Sequence, residues 1–138
     1  MQELKTKVME RKKKVVLVVE KTNTGFSAYS VDFPIFTTGK SIPELMSNAY
    51  QASDFYFEEQ QIKIAPQDIH FEIDFKQFFK YYRVLNARFL GEKIGMNPSL
   101  LSQYVSGTKK PSAKQTERIL SGIHQIGQEL SGLNLLYS

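Results

Sequence analysis

The chain has 138 residues, of which 41% are apolar and none is cysteine, and carries a formal net charge of +4. That is enough length and apolar content for one ordinary domain or two small ones, and it excludes disulfides and thiolate metal sites. The longest apolar run, Val15 to Val19, falls far short of the ~20 residues of a membrane-spanning helix, and no signal-peptide-length apolar stretch follows the early lysines. The expectation is a cytoplasmic protein without metal, cofactor or membrane partner.

Residues 1–14 hold six basic and two acidic side chains. They read as a basic N-terminal arm, first as a solvated tail and second as a source of non-specific attraction to nucleic acid. Residues 15–79 then carry four basic and nine acidic side chains, residues 80–118 eight and two, and residues 119–138 only Glu129. An acidic segment followed by a basic one suggests two modules with different partners.

The first module spans residues 15–73 and reads as strand-rich. Val15 to Glu20 is a β-branched run, as in a strand covered on both faces, and Thr22-Asn23-Thr24-Gly25 is turn chemistry. Phe26 to Phe33 predicts a second strand before Pro34, which lacks a ladder donor, and Phe36 to Thr38 a short third one. Ser41 and Glu44 have capping-box spacing. Ile42, Leu45, Met46, Ala49, Ala52, Ser53 and Tyr56 then recur at helical spacing, predicting a helix to about Gln60. Ile69, Phe71 and Ile73 alternate with His70, Glu72 and Asp74 as a last, half-exposed strand. The pattern is βββαβ.

The second module, residues 74–138, reads as all-helical. Phe75, Phe78, Phe79 and Tyr82 share one face of a helix that Asp74 can cap. Asn86 caps a second helix, Ala87 to Ile94, with Phe89, Leu90 and Ile94 inward; Gly95 suits a left-handed helix end, and Asn97-Pro98 starts another helix at once. Two helices separated by about three residues, glycine first, have helix-turn-helix spacing. In the third helix, to about Ser106, Leu100, Leu101 and Tyr104 should bury while Ser99, Ser102, Gln103 and Ser106 face away. Such short polar side chains suit a helix laid in the DNA major groove, with glutamine able to pair bidentately with adenine. Gly107 stops the helix, and Thr108, Lys109 and Lys110 follow where phosphates would lie. Ser112 and Gln115 cap a long last helix to about Ser131, with Ile119, Leu120, Ile123, Ile126 and Leu130 as its apolar face. The predicted DNA-binding set is Asn97, Ser99, Ser102, Gln103, Ser106, Thr108, Lys109 and Lys110.

Leu90 to Ser112, "LGEKIGMNPSLLSQYVSGTKKPS", resembles the helix-turn-helix of Cro/C1 (XRE)-type phage-repressor DNA-binding domains. The resemblance implies base reading by Ser99, Ser102 and Gln103 and backbone contact by Thr108, Lys109 and Lys110. Pro98 stands where the family often has a base-reading glutamine or serine. Val18 to Gln60 is similar to the HicB antitoxin domain, a truncated ribonuclease-H-like fold, in its Gly-Phe-Ser-Ala strand, proline-containing loop and Gly-Lys-Ser helix entry. It departs from that family where Asp32-Phe33-Pro34-Ile35-Phe36 replaces an Asp-Leu-Pro-Gly-Cys consensus. HicB proteins commonly join this domain to a C-terminal DNA-binding domain, and the order here agrees.

The sequence-based expectation is therefore an α+β protein, a HicB-like βββαβ domain followed by an all-α helix-turn-helix domain. It would bind operator DNA as a homodimer or higher homo-oligomer and, by the resemblance, neutralise a HicA-like toxin that cleaves mRNA. The acidic front module would attract such a toxin's basic surface. The alternative is a ligand-sensing transcriptional repressor without a toxin. Enzymatic activity is not expected. Glu20 and Asp32 are the only acids near the middle strands, and His70 lies on an exposed strand face without a partner acid or nucleophile in evidence.

Overall fold

The computed structural model describes residues 14–136. The predicted basic arm, apart from Lys14, lies outside the described residues. The protein is α+β and divides into two compact units, with the break between Asp74 and Phe75.

The first unit is a four-stranded sheet of order β3-β2-β1-β4 with one long helix. Strand β1 (Val15–Lys21) turns back at Thr22, whose amide donates to the Gly25 carbonyl at 2.9 Å, into the antiparallel strand β2 (Phe26–Ser30). Strand β3 (Phe36–Gly39) pairs antiparallel with β2. Helix α1 (Ile42–Glu58) carries the chain across, and β4 (Ile69–Ile73) returns parallel to β1 in the register Val15 opposite Ile69.

Strand β2 stops three residues short of the predicted Phe33. The Ser30 hydroxyl accepts from the amides of Asp32 and Phe33 at 3.1 and 3.0 Å, offering the backbone a local alternative to the ladder. Nor is β1 closed on both faces: Val15, Leu17 and Val19 are buried, but Val16, Val18 and Glu20 only partly so. The helix sits on the closed face alone. Ser41 caps α1 as predicted, its hydroxyl accepting from the Glu44 amide at 3.3 Å. The buried stripe of α1 is Leu45, Ala49, Ser53 and Phe57, whereas Ile42 and Met46 are exposed. Phe57, outside the predicted stripe, is the largest fully buried side chain, its ring centroid 5.0 Å from that of Phe33. Close approach is enforced at Gly39, where a Cβ would lie 2.5 Å from the Leu45 nitrogen.

The second unit consists of α2 (Phe75–Tyr81), α3 (Ala87–Ile94), α4 (Pro98–Ser106) and α5 (Ala113–Ser131). Helix α4 packs on α2 and α3, and α5 packs on α3. Phe75, Phe79, Leu90, Met96, Leu101, Tyr104 and Ile119 are its buried apolar residues. Phe89 is exposed, contrary to the predicted inward face of α3. The stripe that actually closes is Leu90, Gly91 and Ile94, and a residue one step off a stripe is rotated by about 100°. Leu130 is likewise exposed, because the apolar stripe of α5 loses cover along its length: Ile119 is buried, Leu120, Ile123 and Ile126 half-buried. Among the described residues no helix is long and apolar enough to cross a membrane.

Candidate nucleic-acid interface

The polar face predicted to read DNA is built by two helix ends three residues apart. At the end of α3, Gly95 adopts φ 73° and ψ 25°, the left-handed conformation that costs glycine least, and the Met96 amide closes back on the Gly91 carbonyl at 2.8 Å. Asn97 starts α4 by accepting from the Ser99 amide at 2.8 Å, and Pro98 occupies the first turn, where its missing N–H costs nothing. Gly91 is part of the same joint: a Cβ there would meet the Met96 carbonyl oxygen at 3.0 Å and Pro98 Cα at 3.2 Å. The small residue lets the start of α4 lie directly against α3.

Helix α4 is anchored on one side only. Leu101 is fully buried and Tyr104 nearly so, with Leu100 and Val105 half-buried rather than enclosed. Ser99, Ser102, Gln103 and Ser106 are exposed. An α-helix with its side chains is about 10–12 Å across, and the B-DNA major groove is about 12 Å wide. Short side chains on the outer face keep α4 within that limit.

The eight candidate residues fall into three groups by their place in the fold. Ser99, Ser102 and Gln103 extend from the exposed face. Asn97, Ser106 and Thr108 are committed to local structure: Asn97 caps α4, and the Ser106 hydroxyl donates to the Gln103 carbonyl at 3.2 Å and shares a 2.8 Å hydrogen bond with Thr108 Oγ1. Lys109 and Lys110 are exposed in the segment after Gly107, itself at φ 82°, with the Lys109 amide tied to the Gln103 carbonyl at 3.1 Å. That bond fixes the basic segment relative to the polar face.

A residue that sequence reasoning missed supports the joint from outside. The Arg118 Nη2 group of α5 donates to the carbonyl oxygens of Ile94 and Gly95 at 3.1 and 3.2 Å, and Nη1 donates to Gln115 Oε1 at 3.3 Å. These are the unsatisfied carbonyls of a helix end, and a cation there also complements the helix dipole. No local spacing announces a contact between residues 24 positions apart. Lys93 on α3 pairs with Glu129 on α5 at 3.3 Å, and Lys93, Lys114 and Arg118 line a shallow groove between the two helices.

The first unit offers less defined chemistry. Among the described residues no three of His, Asp or Glu converge to hold a metal ion. The Tyr29 hydroxyl is held above its ordinary pKa by burial, and further by the carboxylates of Glu20 and Asp74. His70 is exposed. No protein-family model, curated protein or solved structure matches the chain.

Proposed function

We propose that the protein is an antitoxin that also represses its own operon. In this reading residues 74–138 are a Cro/C1 (XRE)-type helix-turn-helix domain that binds operator DNA. Helix α4 enters the major groove, Ser99, Ser102 and Gln103 meet base edges, and Lys109 and Lys110 meet phosphates. Asn97, Ser106 and Thr108 shape the two ends of the reading helix. The single observation that carries the reading is the one-sided anchoring of α4, with Leu101 and Tyr104 buried beneath an exposed, uncharged row of donors and acceptors.

Residues 15–73 are, in the same proposal, a HicB-like domain that masks a HicA-like ribonuclease in the cytoplasm. The resemblance of Val18 to Gln60 supports this. So does the charge of the chain, since residues 15–79 hold four basic and nine acidic side chains and would attract a basic, RNA-binding toxin surface. Two half-site readers are needed for a palindromic operator, which makes the active form a homodimer or a higher oligomer.

Two experiments test the two halves. The full chain is titrated onto duplex DNA from upstream of its own gene and onto scrambled duplex at physiological salt. A preference of at least about a thousandfold is expected of a specific reader, and equal affinity for both would overturn the operator reading. Co-expression with the product of any short neighbouring reading frame should relieve that product's toxicity and mRNA cleavage. Unrelieved toxicity would remove the antitoxin half.

A further inference from the structure

Helix α1 and the buried cluster that joins it to Val15, Leu17 and Val19 occupy one face of the first unit's sheet. The register carries a row of side chains straight across the other face. Phe36 of β3 stands opposite Tyr29 of β2, Tyr29 opposite Val18 of β1, and Val18 opposite Glu72 of β4. Phe36 is 64% exposed, and Tyr29, Val18 and nearby Val16 are only half-buried. A sheet face that meets water ordinarily alternates to polar residues, and a parallel pair such as β1 with β4 is ordinarily covered on both sides. This face is apolar along its middle row, and among the described residues of the first unit no helix covers it.

Carboxylates border the row. Glu20 stands opposite Ser27 at the end of β1, and Asp74 follows β4, its amide donating to the Val19 carbonyl at 3.1 Å. After burial, it is Glu20 and Asp74 that raise the Tyr29 hydroxyl above its ordinary pKa, which puts both on Tyr29's side of the sheet. Glu72 is the third acid of the border. The four strands contain one lysine and no arginine, and that lysine, Lys21, lies over the ring of Phe26 on the core side, 5.1 Å from its centroid.

This pattern calls for a cover that is apolar at its centre and cationic around it. A second copy of the chain meets that description poorly. Placing like face on like face sets the same carboxylates against each other. Docking the second copy's basic residues 80–118 there instead makes a head-to-tail contact, which repeats into a ring or a filament rather than closing as a pair.

We infer that the open sheet face, Val18, Tyr29 and Phe36 bordered by Glu20, Glu72 and Asp74, is the docking surface for a basic partner protein. The apolar row supplies the buried centre of the contact, and the carboxylates steer the approach and fix its register. The inference deepens the antitoxin proposal, on which it rests for the partner's identity, by naming the surface that does the masking.

The probe is the purified product of the short reading frame beside the gene, titrated onto the full chain. E20K/E72K reverses two border charges, and E58K/E59K makes the same change in net charge at the exposed end of α1. The first is expected to raise the dissociation constant on the order of a hundredfold and the second by less than about tenfold, since only the first sets cations against cations in the contact. Far-UV circular dichroism and melting establish that both variants are folded. Because the chain has no cysteine, Thr38→Cys at the rim of the face and Gln51→Cys on the exposed side of α1 each accept a single polarity-sensitive dye. Partner binding should shift the emission at 38 and not at 51. Equal weakening by the two charge variants, an unmoved signal at 38, or absence of such a product or of its binding overturns the inference. A signal at 38 that shifts on dilution of the chain alone assigns the face to a second copy, and one that shifts on removal of residues 1–13 alone assigns it to the chain's own arm; either also overturns it. Docking at this face by a product that cleaves no mRNA sustains the surface and removes the antitoxin reading, whereas relief of toxicity that survives E20K/E72K removes the surface and keeps that reading.

Discussion

Gly122 of α5 lies directly against the Ile94 side chain of α3, so that a Cβ at position 122 would overlap the Ile94 Cγ2 methyl and sit 3.5 Å from its Cβ. The obstructing methyl is borne on a β-branched carbon whose rotamer is restricted in a helix, and so cannot swing away. Gly122→Ala should therefore destabilise the second unit by about 1–3 kcal/mol, less whatever is regained from alanine's better helix propensity. Gly127→Ala is the control on the same helix. Nothing lies within 4 Å of a Cβ there, so it should stabilise by roughly 0.5–1 kcal/mol. Denaturant midpoints of the two variants moving in the same direction would contradict the packing described.

Arg118→Met removes the guanidinium from the Ile94 and Gly95 carbonyls while keeping much of the side chain's bulk. A loss of about 0.5–1.5 kcal/mol in folding stability is expected, because the side chain is exposed and water replaces the bonds. If Arg118 acts by holding the α3–α4 joint, operator affinity should fall with the salt dependence of binding unchanged. A flatter salt slope would mean that it touches phosphate itself.

Gln103→Ala tests the polar face at its longest side chain. On the cognate operator it should cost on the order of 1–3 kcal/mol and relax preference at one base pair. Selection of binding sites from randomised duplex by both proteins measures this, and identical preferred sequences would exclude Gln103 as a reader.

Lys109 and Lys110 should behave in the opposite way. Changing both to alanine is expected to weaken operator and scrambled DNA alike and to lower the slope of log affinity against log salt by about 2, roughly one per lost phosphate contact. Retention of the wild-type slope would remove them from the backbone footprint.

Ser53 is fully buried beneath the sheet of the first unit, and among the described residues its hydroxyl has no hydrogen-bond partner. Ser53→Ala should stabilise that unit by about 1 kcal/mol, because a desolvated polar atom disappears and little volume is lost. Calorimetry that shows a lower melting temperature for the variant would indicate that the hydroxyl is satisfied in solution.

Much of the secondary structure was legible because short-range chemistry dictates it. Ser41, Asn86, Asn97 and Ser112 each cap the helix that their spacing announces, and Gly95 and Gly107 each end one in the left-handed conformation. What was not legible depends on which neighbour each face meets. Phe89 and Leu130 carry the apolar signal of inward residues, yet the fold leaves both exposed. Phe57 was missed because the buried stripe of α1 lies slightly off the one that Ile42 and Met46 suggest. At the candidate interface the sequence shows polarity but not hydrogen bonding, so it does not separate Gln103 from Ser106, whose hydroxyl is occupied by Gln103 and Thr108. Arg118 was invisible for the same reason.

The parallel pairing of β1 with β4 sets an order of assembly during synthesis. Strands β1, β2 and β3 are neighbours in sequence and can zip together as soon as they emerge, but Val15 must wait for Ile69 before its other edge is closed. Until α1 has crossed over and β4 has arrived, the nascent chain presents an open β-branched edge, the kind of template on which strands from other chains add. A translational pause that holds Ile69 to Ile73 inside the ribosome would prolong that exposure, whereas one after β4 has emerged would leave a finished sheet behind it.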